Sequence, residues 1–267
     1  MAVAERRPRA GARLLPASLA DARAALLGLL IGALAWEAAG RWMDFAFLPP
    51  LSRVLPVLAD LWRRGDLPRH LVGSLSSLAS GLGLAVLLGL PIGALMGRYR
   101  LVERALDLYL YVFLASPTLL YVPVLFTLFG VSRASQTAVV FLYAFFVIVS
   151  NTMAAVRSAG PSLLEMARAF GADEGRILWR VRLPAGLPLL MAGLRIAAAR
   201  AVKGMVNGEM LIALSGIGAM LRSFGGRFDI PGVYAILLVV IAVAATLSAG
   251  VQAIERRLGR WQTPSGA

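Results

Sequence analysis

The sequence contains no cysteine, a single histidine (His70) and a single lysine (Lys203). The missing thiols exclude disulfides, thiolate metal sites and thiol catalysis. A lone histidine argues against a histidine-based metal or catalytic centre, which draws on several ligands. Charge is scarce too. Only 15% of the 267 residues are Asp, Glu, Lys or Arg, where a soluble domain carries about a quarter. A soluble chain of this length would need polar residues along its outer helix faces, and most of this one has none.

What is abundant is apolar: 59% of residues are hydrophobic and the mean hydropathy is +0.76. A hydrocarbon layer about 30 Å thick needs roughly 20 apolar residues at about 1.5 Å of rise each. Six runs meet that length, at about 22–40, 72–97, 105–130, 136–156, 187–211 and 232–254. The expected fold is all-α, a polytopic membrane protein with about six transmembrane helices. Its expected organisation is a tail over 1–21, a transmembrane domain over 22–256 with its core at about 72–256 and a polar loop at 157–186, and a tail over 257–267. A cleaved signal peptide is the alternative for the first run, because Ala33-Leu34-Ala35 follows apolar residues; the long polar lead before it favours a span.

The net charge of +13 comes mainly from arginines in the short breaks between runs. That scatter is unlike the basic face that nucleic-acid binding needs. With both ends inside, sixteen arginines fall in cytoplasmic segments and eight in external ones, the positive-inside bias. Arg195, Arg200 and Lys203 lie within the fifth run. Both termini are therefore expected in the cytoplasm.

Residues 52–64 place Val54, Leu55, Leu58, Leu61 and Trp62 at helical spacing, which suits a helix on the membrane surface or a solvated connector. The second run carries a small residue at every fourth position: Gly73, Ser77, Gly81, Ala85, Gly89, Gly93 and Gly97. Such residues let helix backbones approach closely in lipid. A four-residue step drifts about 40° around a straight helix, so the expectation is a central helix surrounded on several sides, kinked at Pro91.

The polar loop is patterned. Ser162 and Glu165 have the spacing of a capping box that would start a helix. Gly171 can stop it in the left-handed conformation. Asp173 can cap a second helix carrying Ile177, Leu178 and Val181, and Pro184 is expected to end that helix. Two short amphipathic helices joined at a glycine would make a projection suited to a groove on a soluble partner.

The order Glu165-Met166-Ala167, three residues, Gly171, nine residues, Val181-Arg182-Leu183-Pro184 resembles the EAAxxxG(x9)IxLP loop of binding-protein-dependent ABC importer permeases. Met166 and Val181 depart mildly from that pattern. The resemblance runs from Trp36-Glu37 to Trp261. Leu48-Pro49-Pro50, Ser74-Leu75, Pro117 with Pro123, Phe129-Gly130, Asn151-Thr152, Gly193-Leu194-Arg195, Glu209-Met210 and Gly216-Ile217-Gly218 resemble the branch that imports nitrate, alkanesulfonates, taurine and bicarbonate. Ser77 and Val147 stand where that branch commonly has arginine and proline. The resemblance implies a permease subunit in the plasma (inner) membrane of a prokaryote, with no catalytic role, cofactor or metal of its own. ATP and Mg would be held by two partner ATPase subunits, a second permease copy (a homodimer) would complete the path, and an external solute-binding protein would deliver the solute. It also implies that Glu165, Ala167, Gly171, Asp173, Val181, Leu183 and Pro184 form the ATPase-coupling segment. The chain lacks the GxxxxGK[ST] phosphate loop, so ATP hydrolysis belongs elsewhere.

Ionisable residues inside a span are costly in lipid and face protein or water. Arg200, Lys203 and Asn207 fall within about 60° of one another on a helix, and Glu209 lies off that face. These four are the candidates for the translocation path of an anionic solute; polar contacts between helices, or pairing with Glu209, Glu37 or Asp107, are the alternative. A secondary transporter would show inverted repeats and mid-membrane coupling carboxylates, and a membrane enzyme would gather histidine or carboxylates in one region. Neither pattern is evident.

Overall fold

In a computed structural model the described residues are 19–42, 47–212 and 215–259. The chain divides into two compact units, Met1–Leu55 and Pro56–Ala267. The expected tail over 1–21 lies almost wholly outside the described residues, as does Trp261.

In the first unit α1 covers Leu19–Trp42, the expected first span. Leu26, Leu27, Leu29, Leu30, Ile31 and Leu34 are all more than half exposed, an apolar surface on several sides. The chain then folds back on the helix. Trp36 Nε1 donates to the Pro49 carbonyl at 3.0 Å, and the Glu37 carboxylate accepts from Ser52 N–H at 3.0 Å and Ser52 Oγ at 2.8 Å. A side chain at Gly40 would lie 2.7 Å from the Pro50 backbone. These contacts give the Trp36-Glu37 and Leu48-Pro49-Pro50 clusters a structural role.

Helix α2, Leu51–Arg63, follows the expected amphipathic segment, with Leu58 and Leu61 packed on the second unit's core. The second unit then runs through α3 (Asp66–Arg98), α4 (Arg100–Ala115), a 3-10 turn (Thr118–Tyr121), α5 (Val122–Phe129), α6 (Arg133–Arg157), α7 (Pro161–Ala169), α8 (Glu174–Ile177), a π-turn (Leu178–Arg182), α9 (Leu183–Ile212), α10 (Ile217–Gly226) and α11 (Ile230–Leu258).

Among the described residues four helical stretches are long and apolar enough to cross a membrane: Asp66–Arg98, Arg133–Arg157, Glu174–Leu211 and Ile230–Leu258. A fifth arises if Arg100–Ala115 and Thr118–Phe129 count together, and these are bent by 100°. These four or five belong to the expected all-α, polytopic fold, and the first expected span falls on α1. The side chains of residues 19–22 and 25 of α1 lie outside those described. The run over 105–130, expected as one straight span, breaks at Ser116. Ser116 precedes a proline and is extended at φ −75°, ψ 141°, as the clash with a following proline ring demands.

Helix α6, rather than α3, is the central helix: 56% of its most apolar stretch is buried, against 28% for α3. Gly81, Gly89, Gly93 and Gly97 of α3 make their closest approaches to α6. A methyl at Gly81 would lie 2.6 Å from Val140 Cβ, at Gly89 2.9 Å from Ile148 Cγ2, at Gly93 2.6 Å from the Val149 carbonyl and at Gly97 2.7 Å from Val156 Cβ. Ser77 Oγ extends the row by donating to Gln136 Oε1 at 3.1 Å. The partners Gln136, Val140, Ile148 and Val156 also stand at multiples of four, so two four-residue rows mesh with both helices running the same way. A repeat longer than 3.6 residues keeps contact only if the pair wraps in the right-handed sense. Wrapping cancels the drift, which is why the row does not spread to several neighbours. Gly73 meets nothing, and α3 continues helically through Pro91.

On its other side α6 meets α9 in the opposite direction. Gly186 abuts the Ala155 carbonyl, Gly193 abuts Asn151 and Gly204 abuts Tyr143. Ala197 and Ala201 between them are fully buried. The core is thus a three-helix stack, with α6 gripped between two glycine-bearing faces.

Candidate functional site

The polar loop forms the expected projection, with two changes at its ends. Helix α7 is not started by Ser162: Gly160 is the N-cap without a side-chain bond, and Pro161 occupies the first turn. Proline pre-sets the helical φ, so the helix begins two residues early and Ser162 and Glu165 lie within it. Its end is as expected. Gly171 sits at φ 76°, its N–H reaching the Arg168 carbonyl at 2.9 Å while Ala172 N–H reaches the Ala167 carbonyl at 3.0 Å, the paired bonds of a Schellman stop. Asp173 then caps α8, accepting from Arg176 N–H at 2.7 Å.

Pro184 does not end the helix. The chain stays helical from Glu174 to Leu211, because the π-turn precedes the proline and Leu183 N–H bonds five residues back, to Leu178. Wider i→i+5 bonding relieves the clash that a proline ring makes with the preceding turn. Val181, Leu183 and Pro184 are half-buried on this continuous rod. The second half of the projection, from Glu174, and the fifth expected span are one helix.

Within the projection only Ile177 is fully buried. Arg168 pairs with Glu174 at 3.1 Å, and Arg98 Nη1 donates to the Glu174 carbonyl at 3.0 Å, tying α8 to the end of α3. Glu165 is exposed. Beside it Leu163, Met166 and Phe170 expose 38%, 52% and 85% of their surfaces, and Trp179 71%. Leu163, Met166 and Phe170 recur at i, i+3 and i+7, an apolar stripe on one face of α7. The capping pattern marked this segment; its apolar surface went unnoticed because the stripe is short.

On the same rod Arg200 and Lys203 are exposed, in line with Ile196, and Asn207 is half-buried. Asn207 Nδ2 donates to Tyr143 Oη at 3.1 Å. Among the described residues no ion pair holds Arg200 or Lys203, whereas Arg195 pairs with Glu255 of α11. Lys203 lies eight residues from Leu211, about 12 Å at 1.5 Å per residue, so both cations sit well inside the apolar stretch.

Glu209 is elsewhere. It is 1% exposed and caps the turn into α10. Three successive N–H groups there meet three side chains: Gly216 donates to His70 Nδ1, Ile217 to Ser74 Oγ and Gly218 to Glu209 Oε2, each at 2.9 Å. A side chain at Gly216, at φ 99°, would lie 2.2 Å from the Glu209 carboxyl carbon, and one at Gly218 2.6 Å from the Val206 carbonyl. The Glu209 and Gly216-Ile217-Gly218 pairing is therefore a packing requirement. His70 and Ser74 were not recognisable as caps in sequence, since they act across about 145 residues.

Residues 67–260 match the family model for the binding-protein-dependent transport system inner membrane component. The chain belongs to this family. It is 31% identical over 220 residues to the taurine transport system permease protein TauC of Escherichia coli (strain K12), covering 80% of each chain. To the formylaminopyrimidine transport permease protein ThiX of Halalkalibacterium halodurans it is 30% identical over 232 residues, 85% of this chain and 91% of that one. A chain from inward-facing conformations of the MetNI methionine ABC transporter shares the fold, with a TM-score of 0.62 at 18% identity over 70% of this chain and 93% of that one. The protein is a permease subunit of a binding-protein-dependent ABC importer, a multi-pass inner-membrane protein whose ATP-hydrolysing and solute-binding partners are separate chains.

Proposed function

We propose that this permease pairs with a second copy of itself to line one path for a small anionic solute of the sulfonate, nitrate or bicarbonate type. Two partner ATPases drive it through Glu165, Ala167, Gly171, Asp173, Val181, Leu183 and Pro184. The observation that carries the proposal is the single helix from Glu174 to Leu211, with the exposed projection at one end and two uncovered cations within its apolar length. Cations at that depth are stable only against water or another chain. A second copy would set another Arg200 and Lys203 across the same path, with Asn207 held beside them by Tyr143 and Glu209 fixing the turn beyond. The taurine relative supports a solute that bears a sulfonate group. The formylaminopyrimidine relative has different chemistry, so the solute assignment leans on the two cations. The arginine distribution supports cytoplasmic termini, which puts the projection on the side where ATP is hydrolysed.

Reconstitution in vesicles with the ATPase and binding protein tests this. Taurine uptake should require ATP and fall at least tenfold in Arg200→Gln and Lys203→Met variants that still assemble. Uptake driven by an ion gradient alone, or wild-type rates with unchanged solute preference in both variants, would refute it.

A further inference from the structure

At the end of the membrane domain that carries the projection, a cavity of about 590 Å³ is lined by Arg98, Arg100, Arg104, Arg157 and Arg182 together with Glu103 and Asp107. Five arginines thus face two carboxylates. Glu103 is already committed, bonded to Arg157 Nη1 at 2.5 Å. Arg157 is committed too, its Nη2 reaching the Met96 carbonyl at 3.0 Å. Arg98 donates to the Glu174 carbonyl and lies 4.8 Å from the centroid of the Tyr99 ring, and among the described residues it makes no ion pair. Among the described residues Arg100, Arg104 and Arg182 make no ion pair, although Asp107 lies in the same lining. The cavity therefore holds uncompensated positive charge.

Its position and chemistry select the ligand. Arg98 ends α3, Arg100 begins α4 and Arg157 ends α6, so the cavity opens where spans leave the hydrocarbon, at headgroup depth. Basic pockets between helices at that level suit phosphate headgroups. Guanidinium forks match phosphate oxygens in pairs. The first turn of α4 has no side-chain cap, so the positive end of its dipole adds to the attraction.

We propose that this cavity binds a phosphate-class oxyanion, carried by an anionic phospholipid headgroup or free in solution. Bound there, the anion would brace the π-turn, through Arg182, against α3 and α4, and so stiffen the base of the projection. The site depends neither on the solute carried nor on the coupling role of the projection, and its test needs no transport.

The full-length chain in detergent would be titrated with phosphatidylglycerol against phosphatidylcholine, and with inorganic phosphate against chloride at equal ionic strength, reading melting temperature. Phosphatidylglycerol, phosphate or both should raise it. The half-effect concentration should shift about twenty-fivefold upward in Arg104→Gln/Arg182→Gln, since each cation near a charged surface is worth about a factor of five. It should stay unchanged in Arg63→Gln/Arg69→Gln, whose cations lie near the junction of α2 and α3. Arg100→Gln alone serves if the double variant does not fold. A response to phosphatidylglycerol without one to phosphate identifies the headgroup; a response to both shows that the free anion suffices. No response to either, or equal half-effect concentrations in all variants, would overturn the proposal.

Discussion

The seam between α3 and α6 and the projection over 158–182 are opposite solutions to the same problem of bringing two surfaces together. In the seam the side chains are reduced to hydrogen so that backbones touch, and the contact is complete within the chain. In the projection apolar side chains are held out on a glycine-stopped helix and an Asp-capped one, and Met166, Phe170 and Trp179 stand more than half exposed among the described residues. Where lipid supplies no hydrophobic drive, association rests on close packing. Where water surrounds an exposed Phe170 or Trp179, burial against a partner is itself the drive, worth roughly 25 cal/mol per Å² of apolar surface. The seam is therefore sensitive to adding atoms, and the projection to removing them.

The largest effect expected is in the packed helices. A Cβ at Gly186 would lie 2.1 Å from the Ala155 carbonyl oxygen, and one at Gly93 2.6 Å from that of Val149. Backbone carbonyls cannot rotate away as a flexible side chain could, so Gly186→Ala and Gly93→Ala should each cost about 3 kcal/mol or more. The readout is the yield of monodisperse protein after detergent extraction, together with melting temperature. Gly83→Ala on the same α3, with nothing within 4 Å, should be close to neutral. Equal losses at Gly93 and Gly83 would show that the close approach is not what holds the seam.

Next is the α10 cap. Glu209→Ala leaves the Gly218 N–H without its acceptor inside the core, which costs about 1–3 kcal/mol. Glu209→Gln keeps a carbonyl oxygen there and should cost less. Melting temperature ranks the variants, and hydrogen exchange at the Gly218 amide locates the change. If the two variants lose the same stability, Glu209 acts through packing volume rather than as the acceptor.

What could be read in sequence follows the range of the physics. The spans, the stop at Gly171 and the cap at Asp173 depend on residues a few positions apart, and they were legible. So was the family, through the spacing of Glu165, Gly171 and Pro184. The end at Pro184 misled because proline's rule concerns α-geometry, and a π-turn removes the clash. The break at Ser116-Pro117 was written in the prolines, but apolar content outweighed them. The small-residue row was visible, while its partner was not: the matching row in α6 uses Val, Ile and Gln, which look unremarkable alone. Arg195 with Glu255, and Gly216 and Ile217 with His70 and Ser74, join residues 60 to about 145 positions apart, beyond any local pattern.

The smallest effect on the chain itself, and the sharpest test of the contrast, is expected at Phe170. Its side chain is 85% exposed, so Phe170→Ser removes almost no internal contact. Surface changes of that kind stay within about 0.5 kcal/mol, and the melting temperature of the isolated permease should hardly move. Partner binding should respond differently, because aromatic anchors carry much of the energy of protein interfaces. Loss of a buried phenyl at such a contact is worth about 2 kcal/mol or more, a thirtyfold weakening. Co-purification of the ATPase subunit should therefore drop sharply while the permease stays folded, and Met166→Ser on the same stripe should follow with a smaller loss. A Phe170→Ser permease that melts several degrees lower would place this residue with the seam, inside the chain's own packing. One that melts normally and still retains its ATPase would move the docking surface off α7.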